Sequence, residues 1–371
     1  MTLKELTYEV RQCLQTELGV QFKQAHIYEL LASAFGYKSW AAFSSDAVML
    51  DNCDSFHGRF REEAQRMNLV RQRCQKISYS VDIADKVPPL VFSVLKNRAA
   101  VAIKVSQLLP WSMDWDAECD FLSEDEIFLS EQLMKALNAV AAKGSFAAHV
   151  ILAEAYADAI RNSGAGREGV YWWQQSQSGR VLSGVEKEWA DNYVSYMERK
   201  RQVPAWKQKV AWHLEEALRL CGRSDADGAI DWDYMSSLAD EFELQQSRSQ
   251  FLKKAAEHGN IDAMRTWIDE NDAADECWMF FYLAQMLGVD LTAERSFAIT
   301  EDGSPYDDDV GGPSYVDEYP GVELPAMSEE QKKAAKQKAE ALFQAIEQRK
   351  AVQERNAEIG FRKMEAELDD E

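Results

Sequence analysis

The chain has few of the residues that build metal centres and catalytic triads. Among its 371 residues are 6 cysteines and 5 histidines, and no two cysteines form a C-x-x-C pair. The spacing of a zinc site is therefore absent, and we expect reduced thiols. The sequence also lacks a Gly-rich phosphate loop after a strand, a nucleophile elbow, an H-E-x-x-H pair and a kinase signature. We therefore expect no enzymatic activity and no cofactor.

Long apolar runs and helix-breaking residues are also scarce. No run reaches the roughly 18 residues that a membrane helix needs. The first residues, MTLKEL, do not form a basic segment followed by an apolar stretch, so we expect no secretory signal and a cytoplasmic location. Hydrophobic content is 46%, and only 8 prolines and 18 glycines interrupt the chain. This composition favours an all-α protein with a real core and no membrane partner.

Charge is unbalanced, with 41 Lys and Arg against 63 Asp and Glu and a net charge of −22. Such a molecule repels phosphate backbones, which argues against nucleic acid as a partner of the whole molecule. The acid is also concentrated locally. Between Arg295 and Lys332 there are ten carboxylates and no basic residue.

A phrase that recurs through the middle of the chain ends a helix at a glycine and places a small residue four positions later. Its clearest copy is FLKKAAEHGNIDA, which contains Ala255, Ala256, Gly259 and Ala263. Degenerate copies pair Gly144 with Ala148, Gly179 with Ser183, Gly222 with Ala226, and Gly288 with Thr292. Successive glycines lie 35, 43, 37 and 29 residues apart, which is the period of helix-pair repeats. Glycine closes a helix in the left-handed conformation, and alanines let the next helix approach closely.

The phrase around Gly259 resembles the Sel1-like repeat, a relative of the tetratricopeptide repeat, over about residues 130 to 290. The resemblance implies a helical solenoid, whose stacked units present a long surface that binds other macromolecules. A non-repetitive helical bundle, whose helices happen to end in glycine, is the alternative.

The segment 26–43, HIYELLASAFGYKSWAAF, resembles a small helical module of plasmid and mobile-element proteins and of glyoxalase-related proteins, and implies no catalytic residue. Ala32 and Gly36 have the spacing of a helix-turn-helix. The helix after that turn is mainly apolar, which favours packing or a protein contact over DNA reading.

Further along, Pro88 and Pro89 predict the start of a helix that runs to Pro110, and Ser328 predicts the start of a long C-terminal helix. The organisation we expect is a three-helix module, a helical middle segment, Sel1-like repeats, an acidic loop rich in Gly, Pro and Tyr, and a capping helix with a frayed tail. The predicted ranges are 1–50, 51–122, 123–290, 291–327 and 328–371.

Candidate binding residues lie in the repeats and in the acidic loop. Adjacent helical residues point about 100° apart, so Trp172 and Trp173 cannot both face one core, and one of them is expected to line the groove. The loop candidates for a partner contact are Tyr306, Asp307, Asp308, Asp309, Tyr315 and Tyr319. Asp307, Asp309 and Glu318 have the spacing of a calcium loop, but Gly311 stands at a ligand position, so no metal site is predicted.

The sequence therefore predicts a non-catalytic scaffold or adaptor of a bacterial cytoplasm, which binds a protein in the solenoid groove or on the acidic loop. The resemblance of segment 26–43 suggests conflict with mobile elements or phage as its setting. Two alternatives are a nucleic-acid-linked regulator that uses the N-terminal module and an acidic protein that mimics DNA.

Overall fold

The computed structural model describes residues 3–50, 63–106, 108, 131–221, 230–299 and 314–368. Most of these residues are helical, as the composition predicts. The chain divides into two compact units, unit 1 over Met1–Ile230 and unit 2 over Asp231–Glu371. This division falls inside the range 123–290 predicted for the repeats. Within the described ranges, no helix is both long and apolar enough to cross a membrane.

The first part of unit 1 is a helical module with a main apolar core and a smaller apolar cluster around Phe43. Its helices are α1 (Leu3–Leu18), α2 (Gln24–Ala34), α3 (Trp40–Asp46), α4 (Glu63–Lys76) and α5 (Val81–Asn97). Leu6, Val10 and Leu14 recur on one face of α1 and are fully buried, which is why this segment forms a helix that packs on its neighbours. The Ser39 side chain caps α3 by accepting a hydrogen bond from the Ala42 amide.

Both predicted ends of the helix that was expected to run from Pro88 to Pro110 are wrong. The helix begins at Val81 and contains Pro88 and Pro89. It ends at Asn97, because the chain then forms strand β2 (Val101–Lys104), which pairs antiparallel with β1 (Ala47–Leu50). Ala47 lies opposite Lys104 in this pair. The all-α expectation missed it because the partner strands are far apart in sequence.

The second part of unit 1 consists of α6 (Glu131–Ala141), α7 (Phe146–Arg161), α8 (Val170–Gln177) and α9 (Gly184–Leu220). The long helix α9 packs along α7 and α8. Between α7 and α8, the segment with the letters G-x-G-x-x-G forms two short 3₁₀ turns after a helix, as expected for a connecting loop. Gly169 lies directly against the Trp189 carbonyl of α9, where a Cβ would clash with the backbone.

Unit 2 begins with four helices that pack on one another in chain order. They are α10 (Trp232–Glu241), α11 (Gln245–Glu257), α12 (Ile261–Glu270) and α13 (Ala274–Met286). The C-terminal helix α14 (Glu329–Leu368) begins after Ser328, whose hydroxyl accepts a hydrogen bond from the Gln331 amide. Ala335, Ala339 and Ile346 of this helix are buried, so it packs on unit 2 by an apolar face.

The segment predicted as an acidic loop contains regular structure. Strands β3 (Arg295–Ile299) and β4 (Tyr315–Tyr319) pair antiparallel, with Arg295 opposite Tyr319. After β4 the chain packs on the rest of unit 2. Val322 is buried, and its amide donates a hydrogen bond to the Leu291 carbonyl. The Trp278 indole donates a hydrogen bond to the Pro325 carbonyl at 2.8 Å. The pairing was missed because glycine, proline and acidic residues dominate the local pattern.

Candidate functional site

The helix corner at Gly259 has the geometry that the recurring phrase predicts. Gly259 has φ +99°, and the next residue, Asn260, caps α12 by accepting a hydrogen bond from the Ala263 amide at 2.8 Å. Ala263 is 1% exposed, and Ala255 and Ala256 of the preceding helix are also buried. Small side chains at these positions allow α11 and α12 to approach closely.

Unit 1 contains the same corner at Gly144, between α6 and α7. Gly144 has φ +85°, and Ser145 caps α7 by accepting a hydrogen bond from the Ala148 amide at 3.4 Å. Ala148 is fully buried, as Ala263 is. Two sequence segments far apart in the chain therefore build one local device: a left-handed glycine, an adjacent cap and a buried alanine.

Two other copies of the phrase depart from this geometry. Gly179 and Gly288 are also left-handed, both with φ +87°. However, Ser183 is itself the cap of α9, and Thr292 bonds Asp290 in a segment that no helix follows within the described residues up to Ile299. Gly222 and Ala226 lie outside the described residues. The phrase therefore builds its full corner at Gly144 and at Gly259.

The adjacent tryptophans of α8 have different surroundings, as their 100° separation predicts. The Trp173 ring lies 5.3 Å from the Tyr193 ring of α9, so Trp173 packs between the helices. The Trp172 ring carries the Arg180 guanidinium over its face at 5.3 Å. Both rings are half-buried.

Of the acidic-loop candidates, Tyr306, Asp307, Asp308 and Asp309 lie outside the described residues. Tyr315 and Tyr319 are the first and last residues of β4, and Tyr315 is about half exposed (47%). Glu318 lies in the same strand. Among the described residues, no cluster of three or more His, Cys, Asp or Glu side chains could hold a metal ion.

The first four helices of unit 2 and the turns between them carry an excess of carboxylates. Residues 231–286, which span α10 to α13, contain 12 Asp and Glu against 4 Lys and Arg. Burial, with the nearby charges of Asp231 and Asp262, raises the pKa of the Asp233 carboxyl. Burial also raises the pKa of Asp269, where the attraction of Arg265 outweighs the repulsion of Glu270. Carboxylates thus repel one another around Asp233.

One basic residue in this region already has its partners within unit 2. The Arg248 guanidinium forms ion pairs with Asp240 at 3.1 Å and with Glu270 at 2.6 Å. Such pairs offset only part of the carboxylate excess. Asp231, Asp262, Asp269, Asp272 and Asp275 are exposed.

The most unusual polar cluster of unit 1 is a pair of buried histidines. His149 of α7 and His213 of α9 are 2% and 1% exposed, and their Nδ1 atoms lie 3.0 Å apart. The Nε2 atom of His149 lies 3.2 Å from the Ala141 carbonyl, which can only accept, so Nε2 carries the proton. His213 then donates from Nδ1 to the bare Nδ1 of His149. This chain of hydrogen bonds joins the end of α6 to α7 and α9.

Aromatic rings enclose the histidine pair and keep it neutral. Tyr156 stacks on His213 at 5.8 Å, and the Lys209 ammonium donates to the Tyr156 hydroxyl at 3.0 Å. Burial, reinforced by His149 and Lys209, lowers the pKa of His213 to about 3. Burial also lowers the pKa of His149. Because both rings are neutral and their protons are used in these hydrogen bonds, we interpret the histidine pair as structural.

No pattern in the sequence indicates this pair, because the two histidines are separated by 64 positions. The helical repeat of α7 and α9 predicts that each histidine lies on a buried face of its helix. It does not predict that the two histidines face each other. No family model, curated protein or solved structure matches the chain.

Proposed function

We propose that the protein is a non-catalytic adaptor that binds a basic protein partner on the acidic helices of unit 2. The observation that carries the proposal is the carboxylate excess over residues 231–286, which contain 12 acidic residues and 4 basic ones. Carboxylates that repel one another favour a partner that brings positive charge, because such a partner relieves the repulsion.

The helix corners support the structural part of this proposal. We propose that the helix pairs on either side of Gly144 and Gly259 are irregular Sel1-like repeats. Both corners use a left-handed glycine, a capping side chain and a buried alanine. Helix pairs of this kind bury their apolar faces against neighbouring pairs and leave a long outer surface for partners.

The partner proposed is a protein and not a nucleic acid, because the acidic surface repels phosphates. A basic nucleic-acid-binding protein fits the same surface, in which case unit 2 acts as a DNA mimic. The N-terminal module is a weaker candidate for reading DNA, because α3, WAAFSSD, contains no Lys or Arg. The proposed setting, conflict with mobile elements or phage in a bacterial cytoplasm, rests on the resemblance of residues 26–43 alone.

The experiment is a quantitative affinity capture from the host with the tagged full chain and a neutralised variant. The variant carries Asp231→Asn, Asp262→Asn, Asp269→Asn and Asp275→Asn, which remove charge with little change in shape. Asn at position 231 can still cap α10. We expect a basic protein that the wild-type chain enriches and that the variant loses.

A matched control removes the same charge from unit 1. Glu17→Gln, Asp82→Asn, Glu188→Gln and Asp191→Asn lie on exposed positions there. The control should retain the partner. Equal loss from both variants would show a response to net charge only, and an enriched partner that is acidic would contradict the proposal.

A further inference from the structure

Unit 1 contains a cavity of about 650 Å³ between its N-terminal module and α6. Its apolar lining comes from both sides. The module contributes Leu3, Trp40, Phe43, Ala47 and Met49, and α6 contributes Ala136, Ala139 and Val140. Trp40 and Phe43 stack with ring centroids 5.3 Å apart, so part of this lining is aromatic.

Two lysines stand at the α6 side of this cavity. Lys135, Ala139 and Lys143 line it and are exposed, although Lys143 lies just beyond the end of the helix. Lys135 and Lys143 are eight positions apart, which corresponds to about 12 Å along a helix axis. The Lys143 ammonium is held at the edge of the cavity, because it donates to the Ser44 carbonyl at 2.7 Å. An ammonium has three donors, so Lys143 can still bind an anion.

We infer that this cavity binds an acidic amphipathic helix of a protein partner. Apolar side chains of that helix would enter the cavity against Trp40 and Met49, and its carboxylates would pair with Lys135 and Lys143. Helices that bind in grooves use this division, with apolar anchors on one face and charges along its edge. The aromatic lining supplies the large contact area on which binding energy concentrates.

The spacing of the lysines fits a bound helix. A volume of about 650 Å³ also lies in the range of small-molecule sites. The Lys135 and Lys143 backbones, however, are about 12 Å apart along the helix axis, and carboxylates two turns apart on a bound helix have nearly this spacing. Among the described lining residues the one carboxylate, Glu5, lies on α1, so the two cations share one wall and this anion lies on the other. This arrangement orients the acidic edge of the bound helix toward α6.

The inference goes beyond the proposed function and does not rest on it. We expect the acidic surface of unit 2 to bind a basic partner, and the cavity of unit 1 to bind an acidic one. An adaptor with both sites could bind two proteins of opposite charge.

The test uses the full chain and two fluorescein-labelled helical peptides in anisotropy titrations. The first peptide has Leu at positions i, i+3, i+4 and i+7 and Glu along both edges of that face. The second has the same leucines and Gln in place of every Glu, so that it does not also bind the acidic surface of unit 2. We expect the wild-type chain to bind the Glu peptide at least about tenfold tighter than the Gln peptide, which corresponds to about 1.4 kcal/mol from the two lysines.

Three variants locate the binding site. Lys135→Glu with Lys143→Glu should weaken binding of the Glu peptide by at least about tenfold. Ala136→Trp should abolish binding by filling the cavity, and circular dichroism checks that each variant is folded. The control Lys187→Glu with Lys207→Glu makes the same charge change on α9, outside the cavity lining, and should leave the affinity unchanged.

Three outcomes would overturn the inference. The first is equal affinity for the Glu and Gln peptides, and the second is unchanged Glu-peptide binding in the variant with both cavity lysines reversed. The third is binding of dodecanoate, measured by calorimetry, with no binding of the Glu peptide. That result would assign the cavity to a small amphipathic anion.

Discussion

Unit 1 carries 27 Lys and Arg against 30 Asp and Glu, whereas unit 2 carries 14 against 33. The two units nevertheless turn their chain at Gly144 and at Gly259 with the same device. Backbone geometry and surface charge therefore vary independently in this protein. The shared corner shows how these helices are arranged, and the difference in charge is the basis of the partners that we propose for each unit.

The largest expected effect comes from the two glycines whose added Cβ would lie nearest to a backbone carbonyl, Gly169 of unit 1 and Gly321 of unit 2. A Cβ at Gly169 would clash with the Trp189 carbonyl, and a Cβ at Gly321 would clash with the Thr292 carbonyl. Because a backbone cannot give way as a side chain can, Gly169→Ala and Gly321→Ala should each lower the free energy of unfolding by about 3 kcal/mol. Urea unfolding measures this.

Gly164→Ala is the control for these two variants, because a Cβ at Gly164 would have no heavy atom within 4 Å and the residue has no positive φ. Its effect should stay within about 0.5 kcal/mol. A cost for Gly169→Ala as small as that of Gly164→Ala would show that α9 does not pack as closely as described.

Acidification should affect the two units with opposite sign. The folded-state pKa of His213 lies at about 3, below the ordinary value of 6.5, so the neutral ring stabilises unit 1 above about pH 6.5. This contribution is lost as the pH falls from about 6.5 toward 3. One histidine that stays neutral only in the folded state costs about 2 kcal/mol at pH 5. The raised pKa of Asp233 acts in the other direction, since the folded state then takes up its proton more readily.

Urea unfolding of the wild type and of His149→Gln with His213→Gln at pH 7 and pH 5 separates these effects. The wild type should lose stability between the two pH values, and the variant should lose much less. An equal loss in both proteins would mean that the histidine pair is not held neutral.

The two corners should differ in their tolerance of a side chain. Any residue with a Cβ costs about 1–2 kcal/mol in the left-handed conformation. At Gly259 the added Cβ would also lie 3.3 Å from Ile346 Cδ1, whereas at Gly144 the nearest atom is 3.8 Å away, on Leu220. Gly259→Ala should therefore cost about 1 kcal/mol more than Gly144→Ala, measured by urea unfolding. Equal costs would show that Ile346 moves aside.

The smallest effect should come from the capping side chains. Ser145→Ala and Asn260→Ala each remove one hydrogen bond to the amide of a buried alanine, Ala148 or Ala263. Each should cost about 1 kcal/mol. If one substitution were neutral in thermal melts while the other destabilised the protein, the two corners would not be the same device.

The sequence predicted local features of the fold better than long-range ones. The left-handed glycines at 144, 179, 259 and 288 follow from the conformational freedom of glycine at a helix end. The two antiparallel strand pairs could not be predicted, because each strand has four or five residues and a partner far along the chain.

Among the candidate binding residues, the different surroundings of Trp172 and Trp173 follow from the helical repeat alone. The histidine pair and the cavity could not be predicted in this way. His149 and His213, like Trp40 and Lys143, come together only when helices from separate segments pack. No pattern within one segment fixes which residue of another segment will face it.

The central claim is that the two units bind partners of opposite charge. Its most direct test is a crossed titration of the full chain with the Glu peptide and a Lys-rich peptide without leucines. We predict that the Lys135→Glu, Lys143→Glu variant loses the Glu peptide only, and that the neutralised unit 2 variant loses the Lys-rich peptide only. Loss of both peptides from either variant, or of neither peptide from both variants, would contradict it.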